Sequence, residues 1–221
     1  AIDEQGKAAA VGMGKATITA TSGSESASVD ITVKYTGALG DALVGQALPC
    51  TGGMAGPFPC QGVTLMSYLP NSGVGGDPNA YDLNDMWGWV DPQTQREYVI
   101  QMRRDGAAFI DITDPVRPRY LGQLLIPGSA RPNVWHDVKV YQNHAFIVAD
   151  GANQHGMQVF DLTELRNVKV PRNFSTVAHY TQIASAHNIF INTETGYAYS
   201  VGGSSGGTTC GGGLHMIDIR N

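Results

Sequence analysis

The sequence predicts an all-β fold built from a repeated unit, on three observations. The run Trp135–Tyr141 is followed by His144–Asp150 and then by Gly156–Leu162. Each run is short, rich in β-branched or aromatic residues, and bounded by Asn, Gly or Asp, which is how strands joined by tight hairpins read. The same three-part pattern occurs upstream, as Met86–Val90, Glu97–Met102 and Gly106–Ile112, and downstream, as His187–Asn192, Tyr197–Val201 and Gly213–Ile219. A period of about 50 residues holding three or four short strands lies in the range of propeller blades. Finally, 28 Gly, 11 Pro and only 15% charged residues suit a chain dominated by turns between strands rather than by solvated helices.

Residues 1–35 read differently. Ala16–Thr21 and Ala27–Val33 alternate small polar with β-branched residues around Ser22-Gly23-Ser24-Glu25, a hairpin by period and by turn chemistry. The segments Gly14–Ala20 and Ser26–Val33 resemble the last strands of a bacterial Ig-like module of the group-2 type. An Ig-type sandwich needs about seven strands, so the resemblance implies a partial sandwich only, and an isolated hairpin is expected to pack poorly.

Residues 36–61 read as a linker carrying a small loop. Cys50 and Cys60 bracket Thr51–Pro59, a Gly/Pro stretch that a disulfide would close in an exported protein; the alternative is two unpaired thiols. Cys210 has no evident partner. Gly62–Pro70 reads as a lone strand similar to Arg119–Pro127, and is expected to complete a distant blade, as N-terminal strands of propellers commonly do. From Asn84 onward the pattern gives two full blades, with outer strands near 119–126 and 174–183, and three strands of another that stop at Asn221. A ring needs at least four blades. Residues 62–221 are therefore expected to be an incomplete β-propeller, about three blades of a larger ring cut at both ends.

The segments Phe109–Pro115, Val159–Leu162 and Leu214–Ile219 resemble LVIVD repeats. Together with Asn84–Trp89, Trp135-His136-Asp137, His155–Leu162 and Gly213–Ile219, they make the run from Cys50 to Asn221 similar to the bacterial choice-of-anchor B proteins. The resemblance implies an exported, surface-anchored β-propeller. It implies no established biochemical activity.

A formal charge of −5 without a Lys/Arg run argues against nucleic acid as partner, since phosphate binding needs concentrated basic charge. No apolar stretch approaches the roughly 20 residues that span a bilayer. Chemistry is more visible at the strand starts. Asn84-Asp85, His136-Asp137 and His187-Asn188 open the first strands of successive units, and first strands line a propeller's channel. His136, His187, Asp85 and Asp137 are metal-competent, and imidazole nitrogen with carboxylate oxygen suits a divalent ion. The other reading is a structural polar lining in which these groups hydrogen-bond backbone. Strand alternation points His136 and Asp137 to opposite faces.

The remaining candidates read as structural. His144 and His155 sit at turns, His179 on an outer strand, and His215 between Leu214 and Met216 in a packed position. Asp111, Asp161 and Asp218 recur after apolar runs, where an acid accepts backbone N–H groups of the following turn. Gly202–Gly206 matches G-x-S-x-G, but no helix follows it, as a nucleophile elbow requires. Asn173-Phe174-Ser175 matches a glycosylation acceptor. The function expected is a non-catalytic extracellular or cell-surface binding and display module for a glycan, protein or small ligand. The alternative is a metal-dependent extracellular hydrolase or lyase with His/Asp ligands in the channel.

Overall fold

The computed structural model of the chain describes residues 6–7, 14–33, 41–78, 82–203 and 212–220. Cys210, and Ser204 of the G-x-S-x-G match, lie outside them. The fold is all-β: among the described residues there are strands and two single-turn 3₁₀ segments but no α-helix, and no sheet closes on itself.

Strands β1 (Gly14–Ser22) and β2 (Glu25–Val33) form the expected hairpin, in register from Gly14↔Val33 to Ser22↔Glu25. Thr17 donates to Asp30 at 2.8 Å, and Thr19 and Ser28 share a bond of 2.7 Å across the pair. Val29 is 57% exposed and Ile31 36%, so these two β-branched residues face solvent rather than a second layer.

The next unit departs from expectation. Strand β3 (Leu48–Pro49) pairs antiparallel with β6 (Thr64–Leu65), enclosing the small hairpin of β4 (Met54–Ala55) and β5 (Phe58–Pro59). A bridge from Leu43 to Tyr68 extends the pairing. Residues 62–70 thus have a partner in front of them and do not stand as a lone strand. The reason is covalent: Cys50 and Cys60 are disulfide-bonded, with Cα atoms 5.7 Å apart, and closing that loop sets its two flanks side by side. The 3₁₀ turn Asn71–Val74 follows, and its Val74 packs with Leu69 on Ala108, Ile110 and Val99.

Three sheets make up the remainder. The first holds β7 (Leu83–Val90), β8 (Glu97–Arg103), β9 (Gly106–Asp111) and β10 (Arg119–Leu125), in sequential antiparallel order. The second holds β11 (His136–Tyr141), β12 (His144–Ala149), β13 (Met157–Asp161) and β15 (Ala178–Tyr180). The third holds β16 (Asn188–Asn192), β17 (Tyr197–Val201) and β18 (His215–Asp218). One short strand lacks a sequence signal. Between β13 and β15 the chain returns to the first sheet, where β14 (Arg172–Asn173) pairs parallel with Gly122 and Gln123 of β10. That approach requires glycine: Gly122 has φ +132°, and a Cβ there would sit 1.9 Å from the Arg172 carbonyl oxygen.

Alternation along β11 and β12 divides the core. Val138, Ala145, Ile147 and Phe160 face the first sheet and meet Trp89, Tyr98, Ile100, Phe109 and Leu121. Phe109, Phe160 and Phe174 form a ring cluster with centroids 4.5–5.4 Å apart. At about 1.5–3 kcal/mol for each fully buried large side chain, this layer joins the first two sheets. Phe146, Val148 and Met157 face the other way, onto Ile189, Ile191, Ala198 and Ile217 of the third sheet. The recurrent acids behave as read: Asp111, Asp161 and Asp218 accept from the backbone N–H of Thr113, Thr163 and Arg220 at 3.1, 2.9 and 3.1 Å.

Candidate functional site

The first strands of the three sheets, β7, β11 and β16, are neighbours, with β11 in the middle. Their polar starts hold one another. Asp85 Oδ2 accepts the Val138 N–H at 3.2 Å, and Asp137 Oδ2 accepts the Ile189 N–H at 2.7 Å and the Asn188 side-chain amide at 3.3 Å. Each acid therefore reaches the first strand of the following sheet, one residue beyond its own counterpart there. The Asn84 amide reaches the carbonyl of its own counterpart, His136, at 3.4 Å.

Each acid also bears on the other's titration. Burial, and then a hydrogen bond to Asp137, raises the Asp85 pKa. In Asp137 burial acts in the same upward direction, but it is outweighed by the bonds from Asp85, Lys139 and the Ile189 N–H, which hold this carboxyl below its ordinary value. Lys139 completes the group. Its Nζ donates to Asp137, lies 3.8 Å from Asp85, and sits 4.6 Å over the Trp87 ring.

Around these groups is a cleft of about 350 Å³, lined by Asn84, Asp85, Trp135, His136, Asp137, Lys139, His187 and Asn188. His187 stands just before β16, half exposed, with Nδ1 at 2.9 Å from Asp150 Oδ2. Trp135 is 58% exposed, although its backbone is fixed on both sides: its N–H donates to Asn133 Oδ1 and its carbonyl accepts from Asp150.

The structure thus brings Asp85, His136, Asp137 and His187 to one cleft, but the His136 ring is buried at its edge. The His136 ring is packed edge-on against His155, centroids 5.5 Å apart, with both residues under 5% exposed. Neither nitrogen of His136, nor Nε2 of His155, has a hydrogen-bond partner. Burial lowers both pKa values to about 4, helped in His136 by His155 and in His155 by His179. Among the described residues, no three His, Cys, Asp or Glu side chains converge as a metal site. Asp137 and Asp85 instead spend oxygens on backbone N–H groups.

Sequence reading missed Lys139, Asp150 and the partner against which His155 packs. Lys139 had a usable signal, because positions 137 and 139 of one strand share a face. Asp150 and His155 are brought in by loops, and their approach has no local signature.

Comparison with models of protein families, with curated proteins and with solved structures finds no match to this chain. Among the described residues no helix is long and apolar enough to cross a membrane.

Proposed function

We propose that the chain carries an arc of an LVIVD-type β-propeller, similar to the choice-of-anchor B proteins, behind the last strands of a bacterial Ig-like module. We assign it the role of a non-catalytic binding and display module outside the cell. Three sheets of like strand order, joined by equivalent acids at the starts of their first strands, support the propeller. The exposed β1–β2 hairpin supports the Ig-like remnant only through its strand pattern. The Cys50–Cys60 disulfide is compatible with export.

The observation that carries the binding role is the cleft. Three neighbouring strands contribute polar side chains to it, and Trp135 stands exposed at it on an anchored backbone. Buried acids alone would read as structural. A large aromatic half in solvent beside them is of a kind enriched where proteins bind.

The test is a thermal-shift screen of the intact chain against extracellular glycans, peptides and small polar metabolites, repeated on a Trp135→Ala, His187→Ala variant. The reading expects a hit that raises Tm in the wild type only and is recovered chemically unchanged. A ligand recovered cleaved would replace binding by catalysis, and hits indifferent to the variant would move the site elsewhere.

A further inference from the structure

The cleft's own residues satisfy its charge, and what is left over describes a ligand. Lys139 Nζ pairs with Asp137 and lies 3.8 Å from Asp85, so the acids and the ammonium already answer one another. Asp150 is engaged by His187. A phosphate or carboxylate entering here would meet two acids, and an ammonium or dication would meet Lys139. Neither sign of charge finds an unopposed partner, and desolvating one without a partner is costly.

Unspent hydrogen-bonding capacity is neutral. Asn84 and Asn188 each use the side-chain N–H₂ within the site, on His136 and Asp137, and keep their carbonyl oxygens. His187 uses Nδ1 on Asp150 and keeps Nε2. The site therefore offers neutral amide and imidazole groups, beside an ammonium and an acid pair that are already matched. Hydroxyl groups, which donate and accept at once, fit such a set better than any ion does.

The third feature is the ring of Trp135, the flat apolar surface of the cleft. A hydroxylated ligand that also needs a flat apolar surface is one with an apolar face and a polar rim, which describes a sugar ring. The volume, about 350 Å³, is at the lower end of the roughly 300–1,000 Å³ of small-ligand sites, so it takes a short ligand rather than a long chain.

Resting on the binding-module reading above, we infer that this cleft takes a neutral mono- or disaccharide, its C–H face on Trp135 and its hydroxyls on Asn84, Asn188 and His187. Recognition is of an uncharged sugar, because an acidic sugar finds no cation there that Asp137 does not already hold.

The experiment is titration of the intact chain, followed by tryptophan fluorescence and calorimetry. The probes are glucose, galactose, mannose, N-acetylglucosamine and their common disaccharides. Glucuronate, inorganic phosphate and tetramethylammonium serve as charged counterparts. The expected result is saturable binding of at least one neutral sugar, weakened tenfold or more in Trp135→Ala and largely kept in Trp135→Phe, with glucuronate at least tenfold weaker than glucose. Far-ultraviolet circular dichroism of both variants checks that they fold. If every neutral sugar fails while tetramethylammonium or phosphate binds in a Trp135-dependent way, the saccharide assignment is overturned and the cleft remains a binding site. Binding that ignores Trp135, or no binding by any probe, overturns the assignment; a Trp135-independent hit in the wider screen above would then sink the cleft reading as well.

Discussion

Asp137 on β11 accepts the Ile189 N–H of β16 at 2.7 Å, so a side chain of the second sheet occupies a hydrogen bond that the first strand of the third sheet would otherwise lack. Asp85 stands in the same relation to Val138. The carboxylates act as ties between successive sheets, and this use competes with metal ligation.

Asp137→Ala is expected to destabilise the protein by about 1–3 kcal/mol, because it strands a buried N–H and leaves Lys139 without its closest partner. Asp137→Asn should lose less, since the amide oxygen can still accept from Ile189. Urea unfolding of the three proteins measures the order, and an Ala variant as stable as wild type would show that the tie contributes nothing.

A second tie joins the first two sheets at their other end. Arg166, after β13, donates from Nε and Nη2 to both oxygens of Asp91, each at 2.7 Å, and Asp91 is fully buried in the turn between β7 and β8. Removing the guanidinium leaves a buried carboxylate served only by Thr94 and the Gln93 N–H. Arg166→Ala should therefore lower stability, because it removes the bidentate partner of Asp91. The Arg166 bond is also the main cause that holds the Asp91 carboxyl far below its ordinary value. Its contribution is present above the unfolded carboxylate's pKa and is lost only as pH falls through the much lower folded value. Chemical denaturation of the variant at neutral pH provides the check, and a midpoint unchanged from wild type would contradict the argument.

The buried His136–His155 pair sets a milder pH dependence. Both imidazoles stay neutral in the folded protein until about pH 4, against an ordinary value of 6.5. Between those values the unfolded chain binds protons that the folded chain refuses, so stability is full above about pH 6.5 and declines as pH falls towards 4. Asp105 opposes the shift in His136, and the His155–Gly156 carbonyl contact opposes it in His155, but burial dominates both. A His136→Leu, His155→Leu double variant should lose most of this slope, read as Tm from neutral pH to pH 4. Parallel profiles for wild type and variant would rule the pair out as its source.

Reduction of the Cys50–Cys60 bond is expected to loosen the short strands between Leu48 and Leu65 while leaving the three sheets folded. Two-residue strands have little pairing of their own, and a disulfide closing a short loop contributes about 2–3 kcal/mol. Hydrogen exchange with and without reductant separates the two regions. Loss of protection in β8, β9 or β12 on reduction would mean that the loop supports the sheets as well.

Much of the architecture was legible because strand period and turn chemistry are local. The nine strands from β7 to β9, β11 to β13 and β16 to β18 follow the alternating runs, and the three acids after them cap their turns as Asp after an apolar run should. The pairing of 43–49 with 62–68 was not legible, because it depends on a disulfide whose closure was only one of two readings. Nor was β14, a two-residue strand that exists because the chain passes Gly122. For the site, alternation already separated His136 from Asp137. The partners of each, His155 and Lys139, come from a loop and from the next position of the same strand face. Metal competence was read from residue types converging at first-strand starts, beside a structural reading in which these groups bond backbone; sequence could not show that the acid oxygens are committed to backbone amides.

The return of β14 to β10 has a consequence for the molecule in company. The outer strand of a sheet offers unpaired N–H and C=O groups on which a strand from another molecule can add. Part of that rim on the first sheet is occupied from within by Arg172 and Asn173, which take up the pairing positions of Gly122 and Gln123. A side chain at position 122 would drive this strap away and open the rim. Gly122→Val should then show its effect as concentration-dependent self-association as well as a lower Tm, and light scattering on dilution would separate the two.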